Sequence, residues 1–176
     1  PRLMGEQEGM ECAEMDVPVD HGAEGGGTLR LRLKRLRAPV QPARAQVWLV
    51  QGGPGGSSWE DFQGLLRRLP ETIGDIDFYT IDHRGTGASS RLRCPVQEDP
   101  AREGGPALTD AEYPECAQAL RQLWGDALDH FSTEAAALDL AYAIDRMSQL
   151  EALVCVWGIS YGACLLQRCL RLRPER

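Results

Sequence analysis

Residues 153–167 read LVCVWGISYGACLLQ, a strand pattern followed directly by a helical one. The apolar run LVCVW predicts a buried strand, and the Leu-, Ala-, Gln- and Arg-rich stretch 161–172 predicts a helix. Between the two, Gly158 and Gly162 flank Ser160, and this spacing permits a tight turn in which the serine points away from the sheet. We therefore interpret Ser160 as a nucleophile whose hydroxyl lies beside the positive end of the helix.

Two further apolar runs end in glycine-rich turns in the same way. Residues 47–50 lead into QGGPGG at 51–56, and residues 78–81 lead into DHRGTG at 82–87. Uninterrupted apolar strands are typical of a parallel sheet that is covered on both faces. These three segments therefore predict the central strands of such a sheet.

The rest of the chain divides into regular and irregular segments. Residues 29–33 alternate Leu with Arg, which predicts a strand with one buried face, and residues 135–150 have helical spacing. Residues 1–27 show little periodicity, and residues 94–131 match neither pattern and are interpreted as an insertion or excursion from the sheet. The alternation of strands and helices predicts an α/β fold.

The glycine stretch at 52–56 is predicted to complete the site around Ser160. Glycines allow backbone amides to approach a substrate carbonyl, and we expect one donor of an oxyanion hole here and the other at the amide of Tyr161. Gly53 is favoured as the loop donor, with Gly52 and Gly55 as close alternatives. A phosphate-binding loop is disfavoured, because no Gly-Lys-Ser/Thr follows and the proline in this stretch has no N–H.

The neighbouring Asp82 and His83 invite comparison with a catalytic triad. Adjacent residues at a strand end point to opposite sides, so Asp82 is not expected to orient His83. We expect instead that Asp82 and Arg84 tie the turn together, while its glycines adopt positive φ. The other two histidines, His21 and His130, lie in loop-like sequence and are expected on the surface.

Composition argues against several classes of function. The net charge of -7 over 176 residues disfavours a general nucleic-acid or anionic-membrane binder. No apolar run approaches the roughly 18 residues of a membrane span. The six cysteines and three histidines lack the spacing of a zinc site, so neither a metal nor another cofactor is expected.

The cysteines suggest one disulfide without deciding it. Cys94 and Cys116 bracket a Pro-, Gly- and acid-rich stretch, where a bridge would pin a long loop. The residues alone leave this pairing open, because they do not reveal the redox compartment. Cys155 is interpreted as a small core residue. Cys164 and Cys169 are expected on different faces of one helix, too far apart to bridge.

Together, the three glycine motifs resemble those of the α/β-hydrolase peptidases of the proline iminopeptidase and tripeptidyl aminopeptidase group. The motifs are GGPGGS at 52–57, DxRGxGxS at 82–89 and GxSYG at 158–162. The resemblance covers most of residues 12–174 and departs at Gln51, where many relatives have histidine. It implies an α/β-hydrolase fold, with a mostly parallel sheet and helices on both faces.

The resemblance also implies a location and a bridge. The positions of Cys94 and Cys116 are similar to those of a bridged insertion in the secreted tripeptidyl branch. A bridge would favour an extracytoplasmic location, and the choice between that location and the cytoplasm stays open.

The activity implied by the resemblance is the release of N-terminal residues from peptides by a Ser-Asp-His mechanism. In that family the acid and the histidine follow the nucleophile, whereas the 16 residues after Ser160 contain no Asp and no His, and Glu175 is their only acidic residue. We therefore expect residues 1–176 to be the N-terminal part of such a domain, inactive alone and with the strand at 153–157 left as an uncovered edge. The expected substrate is a peptide or a small ester or amide. The alternatives are an esterase or lipase of the same fold and a non-catalytic fragment. Oligomeric state is not decided by the sequence.

Overall fold

The structure is a computed structural model of the 176-residue chain, and it describes residues 4–5, 10–66, 68–69, 73–102, 107–148 and 152–174. The strands in this part of the chain are β1 (Met4–Gly5), β2 (Met10–Pro18), β3 (Thr28–Leu36), β4 (Ala45–Val50), β5 (Ile76–Asp82) and β6 (Leu153–Gly158). The helices are α1 (Ser58–Leu66), α2 (Pro95–Glu98), α3 (Tyr113–Trp124), α4 (Thr133–Met147) and α5 (Tyr161–Leu172), with a 3-10 helix at Gly125–His130. None of the described helices combines the length and the apolar character needed to cross a membrane.

The six described strands form one mixed sheet in the order β1-β2-β3-β5-β4-β6. β4 lies between β5 and β6 and runs parallel to both, whereas β1, β2 and β3 form an antiparallel extension that joins β5. The predicted α/β architecture is confirmed, and parallel pairing is confined to the three strands that carry the glycine-rich turns. The carboxyl ends of these strands therefore meet at one edge of the sheet.

Two apolar clusters cover the sheet, one on each face. Alternate residues of β2 to β5 pack against α4 and α5, where Trp48 and Tyr79 stack with ring centroids 4.6 Å apart. On the other face, Leu49 and Phe78 pack against Phe62 of α1. Helices thus lie on both faces, as expected, and these clusters fix the positions of the strand ends.

β2 was not predicted, because its segment shows weak periodicity. In the structure Ala13, Met15 and Val17 are buried on one face, and the strand pairs with β3 from Met10 opposite Leu36 to Pro18 opposite Thr28. Alanine and methionine do not signal a strand strongly, so pairing with β3 rather than local preference specifies it. β3 itself was predicted over 29–33, and the structure extends it to Thr28–Leu36.

β6 was predicted as a strand that is covered on both faces in a complete domain and that becomes an uncovered edge in residues 1–176 alone, and the structure shows it uncovered. It is the outermost strand of the described sheet on that side, with Leu153 63% and Trp157 47% exposed. Cys155 is also exposed, so its interpretation as a core residue is wrong. Its apolar composition resembles that of a central strand, but among the described elements only β4 pairs with it.

We expect the 176-residue chain, produced alone, to bind a hydrophobic dye and to self-associate. An unpaired strand edge with exposed apolar side chains promotes pairing between molecules, and no Lys or Pro in β6 opposes it. Size-exclusion chromatography should show oligomers, and Leu153→Lys combined with Cys155→Lys should reduce them. A monomer with a cooperative melting transition above about 50 °C would contradict this expectation.

Residues 94–131 contribute helices rather than strands to the described structure. The short helix α2 follows Cys94, and α3 contains Cys116. These two buried cysteines form a disulfide with their Cα atoms 5.1 Å apart. The bridge joins the start of the segment to α3, and residues 103–106 between the two cysteines lie outside the described part of the chain.

Candidate active site

Ser160 occupies the turn between β6 and α5, with φ 53° and ψ −119°. It is the only non-glycine residue with positive φ in the described part of the chain, and it is exposed. Such a conformation costs about 1–3 kcal/mol and persists only where the surroundings enforce it. The turn therefore presents the Ser160 hydroxyl to solvent at the edge where the parallel strands end.

The glycines flanking Ser160 are required by close backbone packing. A Cβ atom at residue 158 would lie 2.6 Å from the carbonyl oxygen of Gly162, and one at residue 162 would overlap the carbonyl oxygen of Val50. Only glycine lets α5 start this close to the end of β4. The spacing in the sequence thus has a steric cause in the structure.

Gly162→Ala should slow labelling of Ser160 by a fluorophosphonate probe about 100-fold, since displacement of a reacting group by about 1 Å has effects of that size. The added methyl group cannot fit beside Val50 without moving the turn. Labelling rates of the full-length protein, with circular dichroism to verify folding, test this expectation. The matched control is Gly64→Ala in α1, where a Cβ atom meets open space and the rate should not change. An unchanged rate in Gly162→Ala would mean that the turn tolerates a side chain.

The glycine loop after β4 lies directly against Ser160. A Cβ atom at Gly52 would be 3.0 Å from the Ser160 Cβ atom and 3.6 Å from Oγ, so a side chain at residue 52 would require the nucleophile turn to shift. Gly53 and Gly55 have φ of 108° and 110°, a conformation that glycine adopts readily. The structure brings the loop and Ser160 together, while the choice of Gly53 as the loop donor stays a prediction.

The other predicted donor, the amide of Tyr161, lies in the first turn of α5. The first N–H groups of a helix have no acceptor within that helix, and the helix dipole gives this end a partial positive charge. The Tyr161 side chain turns toward α4, where its hydroxyl lies 3.0 Å from Thr133 Oγ1. This contact holds the start of α5 against α4.

Gln51 ties the glycine loop to the turn after β5. It is fully buried, and its Nε2 group donates to the carbonyl oxygen of Gly56 and lies 3.2 Å from His83 Nδ1. Its Oε1 atom has no partner among the described residues. In the sequence Gln51 stands out only as a departure from the family pattern, since nothing local reveals its contact with a residue 32 positions away.

Asp82 and His83 do not interact as members of a triad. The Asp82 carboxylate accepts from the amides of Ser58 at 2.8 Å and Ala88 at 2.9 Å, which makes it a brace for two loops. His83 is buried, and its burial lowers the pKa of the imidazole below its ordinary value. The structural role predicted for Asp82 is confirmed.

Arg84 forms a buried ion pair with Asp139 of α4, with both N–O distances 2.7 Å. Its remaining N–H groups donate to backbone carbonyls, those of Pro18, Val19 and His130. His21 Nε2 lies 2.8 Å from the same carboxylate, so His21 is not the freely exposed residue expected from the sequence. Asp139 was missed, although an aspartate on the apolar face of a helix is a signal that could have found it.

The chemistry available in this arrangement is that of an accessible serine hydroxyl beside backbone donors. Within the described residues, no histidine or carboxylate is hydrogen-bonded to Ser160 Oγ. The same residues contain no group of three or more His, Cys, Asp and Glu side chains placed to hold a metal ion.

A family model described as alpha/beta hydrolase fold matches residues 47–176, whereas a search of curated proteins returns no match. Among solved structures, the chain is similar to a cold-adapted esterase from an Arctic intertidal metagenomic library, with 18% identity, TM-score 0.52 and coverage of 96% of this chain and 58% of the esterase. It is also similar to a laboratory-evolved potato epoxide hydrolase, with 16% identity and TM-score 0.54. The match covers 94% of this chain and 37% of that epoxide hydrolase.

A third similar structure is the epoxide hydrolase of Aspergillus niger, with 13% identity and TM-score 0.51. The match covers 89% of this chain and 30% of that enzyme. At these identities the likeness concerns the fold, and together with the family match it confirms the predicted fold. The chain spans 30–58% of the length of these three proteins.

Proposed function

The chain belongs to the α/β-hydrolase fold family, and on this premise we propose that the protein is a serine hydrolase with Ser160 as its nucleophile. The observation that carries the proposal is the strained backbone of Ser160, held at φ 53° between β6 and α5. A serine that had no role there would not need this conformation, and a glycine would adopt it at lower cost.

In the proposed mechanism, Ser160 Oγ attacks the acyl carbon of the substrate. The oxyanion that forms accepts hydrogen bonds from the amides of Tyr161 and Gly53, which are fixed before the reaction and need no reorganisation. The base that removes the serine proton, and the acid that orients this base, would come from residues outside 1–176. The activity is therefore proposed for the full-length protein.

For the substrate we propose the N-terminal residue or residues of a peptide. The combination of the three glycine motifs supports this choice over an ester substrate. The position of Ser160 does not separate the two, because attack on an ester and attack on an amide need the same nucleophile and the same oxyanion donors. An esterase therefore remains the rival within the same family.

Chromogenic prolyl and tripeptidyl amides, compared with p-nitrophenyl esters on the full-length protein, test the substrate class. We expect turnover of the amides, which Ser160→Ala removes. Turnover of esters alone would establish the esterase, and turnover of neither would favour a non-catalytic protein. The 176-residue chain alone should turn over neither, because loss of the catalytic base costs about a million-fold in kcat in subtilisin.

A further inference from the structure

A pocket of about 230 Å³ is lined in part by Tyr161, the residue that follows the proposed nucleophile. Its walls come from the glycine loop at Pro54 and Gly55, from the turn after β5 at His83, and from Phe131 and Tyr161. The volume is below the roughly 300–1,000 Å³ of a site for a whole drug-sized ligand, so the pocket suits one part of a substrate.

The contact with Gln51 fixes the hydrogen-bonding state of His83. Gln51 Nε2 donates to the Gly56 carbonyl, which sets the orientation of the side-chain amide, and an amide nitrogen can only donate. The His83 Nδ1 atom, 3.2 Å from this nitrogen, must therefore accept. Neutral His83 then carries its proton on Nε2, and burial of the ring favours the neutral form.

His83 Nε2 is the ring nitrogen available to a ligand. His83 is 6% exposed and lines the pocket, and no hydrogen bond among the described residues engages Nε2. Nε2 is not among the buried side-chain atoms that lack a partner, so it is accessible from the pocket, where a ligand oxygen can replace water as its acceptor.

The other walls select for an uncharged acceptor. The guanidinium of Arg84, the charged side chain in the pocket wall, is neutralised by Asp139. Leu92, Phe131 and Ala136 contribute apolar surface. A free carboxylate would lose water here without gaining a counter-charge, whereas a carbonyl oxygen needs only one donor.

We propose that this pocket is an acyl-group subsite in which His83 Nε2 donates to a neutral carbonyl oxygen of the substrate, a proposal that rests on the function proposed for Ser160. Tyr161 lines the pocket, and so do Pro54 and Gly55, the two residues after Gly53, so the pocket is built from the same two segments that are proposed to supply the oxyanion donors. If the acyl part of the substrate is longer than one amino-acid residue, its backbone contains a second carbonyl besides the one that Ser160 attacks. This second carbonyl is the proposed acceptor for His83 Nε2.

The subsite is tested on the full-length protein with two p-nitrophenyl esters of equal chain length, the pentanoate and the levulinate. The levulinate differs from the pentanoate by a ketone in its acyl chain. His83→Leu should lower kcat/KM for the levulinate about 5- to 10-fold relative to the pentanoate, the effect of one lost hydrogen bond. His83→Gln, which restores an N–H donor, should retain most of the levulinate rate. Equal losses for both esters, or none, would overturn the proposal.

Labelling and a binding measurement separate this proposal from the proposed function. Fluorophosphonate labelling of Ser160 should persist in His83→Leu, and absence of labelling in the wild type would refute only the function of Ser160.

In that case, NMR of isotope-labelled histidine reports directly on the pocket. Cyclopentanone, a neutral ketone, should shift the His83 Nε2 resonance and leave that of His130 unchanged. A shift with acetate alone, or no shift, would refute the subsite.

Discussion

Ser160→Ala is expected to abolish covalent labelling of the full-length protein by a fluorophosphonate probe. The probe reacts with a serine oxygen whose attack is assisted by a base and whose product is stabilised by oxyanion donors. Ser160 alone among the described serines combines a strand-to-helix turn, a positive φ and exposure. Gel fluorescence after brief exposure to the probe, followed by mass spectrometry of the labelled peptide, measures the outcome.

The matched control for this substitution is Ser148→Ala. Ser148 follows α4, and its buried hydroxyl has no hydrogen-bond partner among the described residues. Its removal should leave labelling unchanged. Undiminished labelling of Ser160→Ala would show that another residue is the nucleophile, and the proposed function would then fail at its central residue.

Asp139→Ala is expected to lower the free energy of unfolding by about 3–5 kcal/mol, the usual cost of breaking a buried ion pair. The substitution leaves the Arg84 guanidinium, whose side chain is 1% exposed, without its counter-charge. It also removes the partner of His21. Since natural domains are stable by only about 5–15 kcal/mol, a large fraction of the stability would be lost.

Urea unfolding of the full-length protein, followed by circular dichroism, measures this effect. Asp145→Ala is the matched control, since Asp145 lies on the same helix and its ion pair with Arg173 is partly exposed, at 3.6 Å. Partly exposed pairs contribute about 0–1 kcal/mol, so the midpoint should move little. Equal effects of the two substitutions would show that burial of the Arg84 pair does not matter.

The nucleophile turn could be predicted from the sequence because its causes are local. Gly158 and Gly162 lie within two residues of Ser160, and the strand and helix patterns on either side are continuous. α5 accordingly begins and ends at the predicted residues, Tyr161 and Leu172. The turn after β5 was predicted for the same reason, because Asp82 accepts from the amide of Ala88 six positions away, whereas its bond to the Ser58 amide, 24 positions away, was not predicted.

Contacts between distant parts of the chain could not be predicted in this way. Arg84 and Asp139 are 55 positions apart and Gln51 and His83 are 32 apart, so no periodicity within one segment connects them. The exposure of β6 was expected only from the resemblance to a longer domain, because it depends on which strands flank β6 rather than on its composition. Local backbone preferences and the steric demands of glycine thus determined where Ser160 lies. Packing of the sheet against α4 and α5 determined what surrounds it, because burial and ion pairing depend on segments that meet only in the folded chain.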